Sequence, residues 1–168
     1  MTTVEKNTLN KIGEKSEQLG IFKIKLNDST NIHSLEAKIK VYASGKLIHT
    51  IGGIETILLK EDKKSFYLTF KRQLQLKTKQ TYEWGIIFAA SNGHTMGQSI
   101  YKQPEQTNMS SYGTVEGKQE LVKGKEIALG AFVDSVDSME TIEVLPDIKD
   151  NERLFKNKYV YLLCLKAK

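Results

Sequence analysis

The residues of this 168-residue chain with the means to do chemistry are three histidines, one cysteine and a crowded run of acids. His33, His49 and His94 lie far apart, and none has a second histidine at the H-x-H or H-x-x-x-H spacing that brings two imidazoles onto one metal. His49, in the alternating run Leu47-Ile48-His49-Thr50-Ile51, reads as a strand residue. Cys164 sits between Leu163 and Leu165 with no basic neighbour before Lys166. A nucleophilic thiolate needs a lowered pKa, so this thiol reads as a small buried hydrophobe. Asp134, Asp137 and Glu140 fall three apart and could gather oxygen ligands for a cation, although the spacing and the lack of a central glycine depart from the helix-loop-helix calcium loop. The acids of 134–152 could also supply a carboxylate pair for a hydrolase, whose separation of about 5–9 Å a sequence does not set. No G-x-S-x-G, P-loop or dinucleotide fingerprint is present, and Gly93-His94-Thr95-Met96-Gly97 lacks the strand-to-helix setting of a phosphate cradle. No cofactor is expected. The remaining candidates are Asn92, His94, Tyr101 and Tyr112, in the irregular stretch 91–114, where tyrosines could bind a ligand at little entropic cost.

The elements that must position these residues are strands. From residue 20 the chain alternates apolar and polar residues, broken every 8–12 residues by Gly, Asn, Asp and Ser, the pattern of an all-β sandwich or barrel. Phe22, Ile24 and Leu26 mark one strand, and Leu35, Ala37, Ile39 and Val41 a second. The turn Ala43-Ser44-Gly45-Lys46 joins the second to 47–51 as a hairpin. Gly52-Gly53 suits a bend or bulge before a further strand, 54–60. Phe66, Leu68 and Phe70 share a face, as do Tyr82, Trp84, Ile86, Phe88 and Ala90, whose strand should be central and covered on both faces. Residues 91–114 form either a long loop or two short edge strands around 99–102. Strands are expected at 112–117, 126–133 and 141–145, the last ended by Pro146, with one or two helical turns in 147–156. The run 159–165 is apolar on both faces and should be interior. Residues 1–19 hold few apolar residues and read as a flexible tether before a single domain, 20–168.

Around the longest strand, Leu76-Lys77-Thr78-Lys79-Gln80-Thr81-Tyr82-Glu83-Trp84-Gly85-Ile86-Ile87-Phe88-Ala89-Ala90-Ser91-Asn92-Gly93 resembles the segment entering the sixth strand of fibronectin type III and other immunoglobulin-like domains. The resemblance implies an immunoglobulin-like antiparallel β-sandwich in which the Tyr82 hydroxyl bonds back to the backbone as a tyrosine corner. Such domains end one strand later, so the 65 or so residues beyond imply an enlarged sandwich of about 9–11 strands. The motif is structural and implies no activity.

A net charge of +5 invites a nucleic-acid reading. Only Arg72 and Arg153 are arginine, however, and the lysines alternate with apolar residues as on a wet strand face, so no specific nucleic-acid partner is expected. Residues 134–152 carry −6, which leaves +11 on the rest of the chain and makes the molecule dipolar. These observations lead to a non-enzymatic binding domain for a protein or an anionic cell-surface polymer. It is expected outside the cytoplasm, meeting a membrane only through an N-terminal anchor that this sequence lacks, with a cytoplasmic site as the alternative. The competing readings are a β-barrel carrier of a small apolar ligand and a hydrolase using carboxylates of 134–152.

Overall fold

A computed structural model describes residues 2–6, 17–27, 31–58, 65–90, 93–139 and 142–168. The strands are β1 (Thr3–Lys6), β2 (Glu17–Lys25), β3 (Ser34–Ala43), β4 (Lys46–Ile57), β5 (Phe66–Leu74), β6 (Thr81–Ala90), β7 (Gly93–Lys102), β8 (Met109–Thr114), β9 (Gln119–Glu120), β10 (Glu126–Ser135) and β11 (Tyr159–Ala167). They form two antiparallel sheets, β7-β6-β5-β2-β1-β9 (sheet A) and β4-β3-β11-β10-β8 (sheet B). The sheets do not close into a barrel, and aromatic and aliphatic side chains fill the space between them. The barrel carrier therefore loses its architectural basis.

Period-two alternation sends every second residue inward. Leu35, Ala37, Ile39 and Val41 of β3 are fully buried, and opposite them stand Phe22, Ile24, Leu68, Phe70, Trp84 and Ile86 of sheet A. Burying each of the larger of these side chains contributes roughly 1.5–3 kcal/mol. The β3–β4 hairpin turns through Ser44 (φ 48°) and Gly45 (φ 81°), the left-handed pair a tight two-residue connection requires.

Three expectations need correction, and one open alternative is decided in favour of edge strands. The strand expected at 54–60 is the continuation of β4, which passes through Gly52-Gly53 with a register shift against Ala37/Lys38. Residues 142–146 form no strand. Pro146 has no N–H for a ladder, and the segment instead lies across the outer face of sheet B, where the Pro146 carbonyl accepts from Ala128 N at 2.9 Å. The expected tether contributes β1, with Val4 buried and paired to Ile24, and the first three residues of β2; residues 7–16 lie outside those described. Its apolar residues are few, but Val4 falls in register with the core. The stretch 91–114 contains two edge strands, β7 on sheet A and β8 on sheet B.

The interior placement of β11 has a clear cause. Tyr159, Tyr161, Leu163 and Leu165 face sheet A, while Val160, Leu162 and Cys164 face a second apolar cluster with Val144 and Leu154. This cover runs from residue 142 to 157 and includes 3₁₀ turns at Ile148–Asp150 and Leu154–Lys156. The buried Asn151 side chain holds it together: its carbonyl oxygen accepts from Leu145 N at 2.8 Å, and its amide donates to the carbonyls of Leu145 and Asp147 at 2.9 and 3.0 Å.

Candidate functional site

The middle of sheet B is covered on its outer face, while Leu47 and Ile57 of its edge strand β4 stand 52% and 72% exposed. The 142–157 cover seals one part, and an ion ladder crosses the rest: Lys40 and Lys38 pair with Glu126, Lys38 also reaches Glu36, and Lys168 joins Glu36 to Glu55. Among the described residues sheet A has no such cover, and β6 is not covered on both faces as expected. Its register aligns outward residues in rows across the strands. One row reads Met96, Ile87, Thr69, Ile21; the next reads Gln98, Gly85, Lys71, Leu19; a third reads Ile100, Glu83, Gln73, Glu17. Met96 and Ile100 are 46% and 68% exposed, large values for apolar side chains in mid-strand. Where Gly85 interrupts its row, a cleft of about 500 Å³ opens among Lys71, Gln73, Glu83, Gln98 and Ile100. The surface offers apolar contact, two signs of charge and amide groups.

A second constellation is interior. Arg72, at an inward position after Phe66, Leu68 and Phe70, meets Asp134 of β10 as a bidentate pair, Nη1 to Oδ2 at 2.8 Å and Nη2 to Oδ1 at 3.0 Å. Its Nε donates to Gln18 Oε1 at 2.7 Å and its Nη2 to Ser110 Oγ at 2.8 Å. The guanidinium lies against the rings of Tyr82, Phe132 and Tyr161, with centroids at 4.4, 4.9 and 5.2 Å. The Tyr82 hydroxyl donates to Asp134 Oδ2 at 2.8 Å, and that of Tyr161 to the buried Gln103 Oε1 at 2.7 Å. Burial pushes both phenols well above the usual tyrosine range and keeps them protonated donors. Arg72 is 1% and Asp134 0% exposed, so the pair ties one sheet to the other across a space no substrate enters.

The residues singled out from sequence are scattered. Of the binding set, His94 stands exposed on the outer face of β7, beside Ala89, and Asn92 lies outside the described residues. Tyr101 and Tyr112 are not loop-tip residues. Tyr101 points inward from β7, stacks on His49 at 4.9 Å and meets Tyr161 edge-on at 6.0 Å; Tyr112 points inward from β8 and stacks on Phe132 at 4.7 Å. Burial raises both phenol pKa values. Of the metal set, Asp134 spends its carboxylate on Arg72 and Tyr82, Asp137 lies beyond the end of β10, and Glu140 lies outside the described residues. No three His, Cys, Asp or Glu converge among the described residues. The Tyr82 hydroxyl bonds a carboxylate of the facing sheet rather than the corner backbone that the immunoglobulin resemblance implies. Burial pushes the Cys164 thiol up to about 12, as its apolar flanks suggested. Sequence reasoning missed Arg72 and the outer face of sheet A. An arginine where the alternation asks for an apolar residue was the signal for the first. The second had none, because an uncovered apolar face and a covered one alternate alike.

Comparison with protein families decides the membership. Residues 1–167 match the YgaN domain. The chain belongs to the YgaN domain family. No curated protein and no solved structure matches it. For this YgaN domain the reading of function therefore rests on its own surfaces.

Proposed function

We propose that this YgaN domain is a non-catalytic binding module whose working surface is the outer face of sheet A, and that its partner is a protein. One observation carries the reading: sixteen residues and an ion ladder cover the central strands of sheet B, whose exposed Leu47 and Ile57 are confined to its edge strand, whereas on sheet A Met96, Ile100 and the Gly85 cleft lie open together. Exposed apolar residues rimmed by polar ones are the composition of interaction surfaces. Glu83, Glu17 and Glu5 share this face with Lys71 and Lys23. Such mixed charge suits a protein better than a polyanion, which favours an unbroken basic track.

The test is to select binders from a displayed library of extended peptides and map the footprint of the tightest by amide exchange, with polyphosphate titrated in parallel. Protection over β5 to β7, together with loss of binding in Met96→Lys, is the expected result. A footprint on sheet B, or saturable polyphosphate binding at physiological salt that Met96→Lys leaves unchanged, would overturn the assignment.

A further inference from the structure

The two sheets have four edges, and three of them carry a device against pairing. Strand β4 breaks its register with β3 twice. Strand β9 is only two residues long. Strand β8 is short, and Ile142 of the cover packs against its Gly113. Bulges, brevity and covering segments are the ways proteins protect a sheet edge. Strand β7 has neither bulge nor brevity: it runs ten residues, from Gly93 to Lys102, in unbroken register with β6, without proline and with Lys102 as its one lysine, and the β4 residues that meet it, Ile54 at Gly97 and His49 at Tyr101, pack under its inner face.

The direction of its free hydrogen-bonding groups follows from the ladder. Gln103 N donates to Gln80 O at 2.9 Å, continuing the β6–β7 register, so the odd-numbered residues of β7 exchange bonds with β6. The even-numbered residues then turn their N–H and C=O groups away from the sheet, and among the described residues none of these groups has a backbone partner. These same residues send their side chains to the outer face. Their order, His94, Met96, Gln98, Ile100, Lys102, is nearly palindromic about Gln98. If the strand meets a copy of itself antiparallel with Gln98 opposite Gln98, Met96 falls opposite Ile100 in both halves, and His94 opposite Lys102. Every pair is then a hydrogen-bonded one, the apolar residues meet each other, and two amide side chains meet on the axis.

We propose that β7 is an isologous interface through which two copies of this chain join their A sheets into one twelve-stranded sheet. The occupant is a second copy because the pattern is self-complementary, whereas an unrelated strand would need only the free backbone. The inference rests on the backbone edge and stands apart from the proposed binding face, which the dimer would extend across both copies.

Sedimentation velocity on the full chain, from low micromolar to about 1 mM, tests it, since 1 mM marks the weak limit of specific association. Wild type should shift from monomer to dimer. Gln98→Lys and Gln98→Glu, both at an exposed position, should each weaken the dimer by roughly fivefold or more through like charges on the axis, and an equimolar mixture of the two should restore it. Amides of Met96, Gln98 and Ile100 should exchange more slowly as concentration rises. A monomer throughout the range overturns the proposal. So does a dimer that both variants form as well as wild type, or one that leaves the β7 amides unprotected. None of these failures bears on the library footprint that tests the binding face.

Discussion

The buried pair of Arg72 and Asp134 is the costliest decision in this core. Removing two charges from water is repaid only where the geometry is good and the remaining donors are satisfied, and Gln18, Ser110, Tyr82 and the surrounding rings meet that requirement. Removing one partner leaves the other charge stranded. Asp134→Ala should therefore cost about 3–5 kcal/mol in urea unfolding, whereas Arg72→Met combined with Asp134→Leu should recover most of that loss. A double variant whose loss equals the sum of the losses in Arg72→Met and Asp134→Leu alone would show that the pair is not coupled. The location of this pair was half legible. The alternation placed Arg72 in line with Phe66, Leu68 and Phe70, but only the folded register shows that position 134 of the facing sheet supplies its counter-charge.

At the scale of elements, two contacts fix how the layers meet. Strand β4 crosses close beneath β7 because Gly97 has no side chain: a Cβ there would collide with the end of Ile54. Gly97→Ala should destabilise by about 1–3 kcal/mol, and Ile54→Val in the same chain should relieve part of the loss. Additive losses in a double-mutant cycle would sever the two positions. The second contact is the cover over β10 and β11, held by the Asn151 side chain. Cys164, beneath that cover and with its thiol raised to about 12, should resist a thiol reagent in native protein. Asn151→Ala, which unties the cover, should speed labelling roughly tenfold or more, following the larger population of locally opened molecules. An unchanged rate would mean that the cover does not gate the thiol. Strand faces were legible here because alternation is local: Leu35, Ala37, Ile39 and Val41 of β3 all point inward and are fully buried. The cover was not, because Ile142 and Val144 alternate as a strand would, and whether such a segment pairs at an edge or lies across a face depends on the tertiary surface it meets. The edge status of β7 was legible only as one alternative to a long loop, since a strand's own residues do not say how many neighbours it has.

The whole molecule is two-faced, and its electrostatics follow that division. On the outer face of sheet B, hydrogen bonding to Lys168 holds Glu36 below the usual carboxylate range. Burial pushes Glu126 up, but its bonds to Lys40 and Lys38 outweigh this and leave it lowered; Ser34 and Lys168 lower Glu55. The bond to Glu126 raises Lys38, and the bond to Glu36 raises Lys168. A carboxylate whose folded pKa is depressed contributes stability that is complete above its unfolded value, about 4.3 for Glu, and is lost as pH falls through the folded value. An ammonium whose folded pKa is raised contributes stability that is complete below its unfolded value, about 10.4, and is lost as pH rises through the folded one. The ladder thus predicts a stability plateau across neutral pH, an acid limb beginning below about pH 5 and an alkaline limb beginning above about pH 10. Denaturation midpoints measured across pH should show both limbs. Glu126→Gln removes the carboxylate shared by Lys38 and Lys40, so it should lower the plateau and flatten both limbs at once. A variant that keeps the wild-type profile at both ends would show that the ladder, though continuous across four strands, carries no net stability, and that the 142–157 cover alone secures that face.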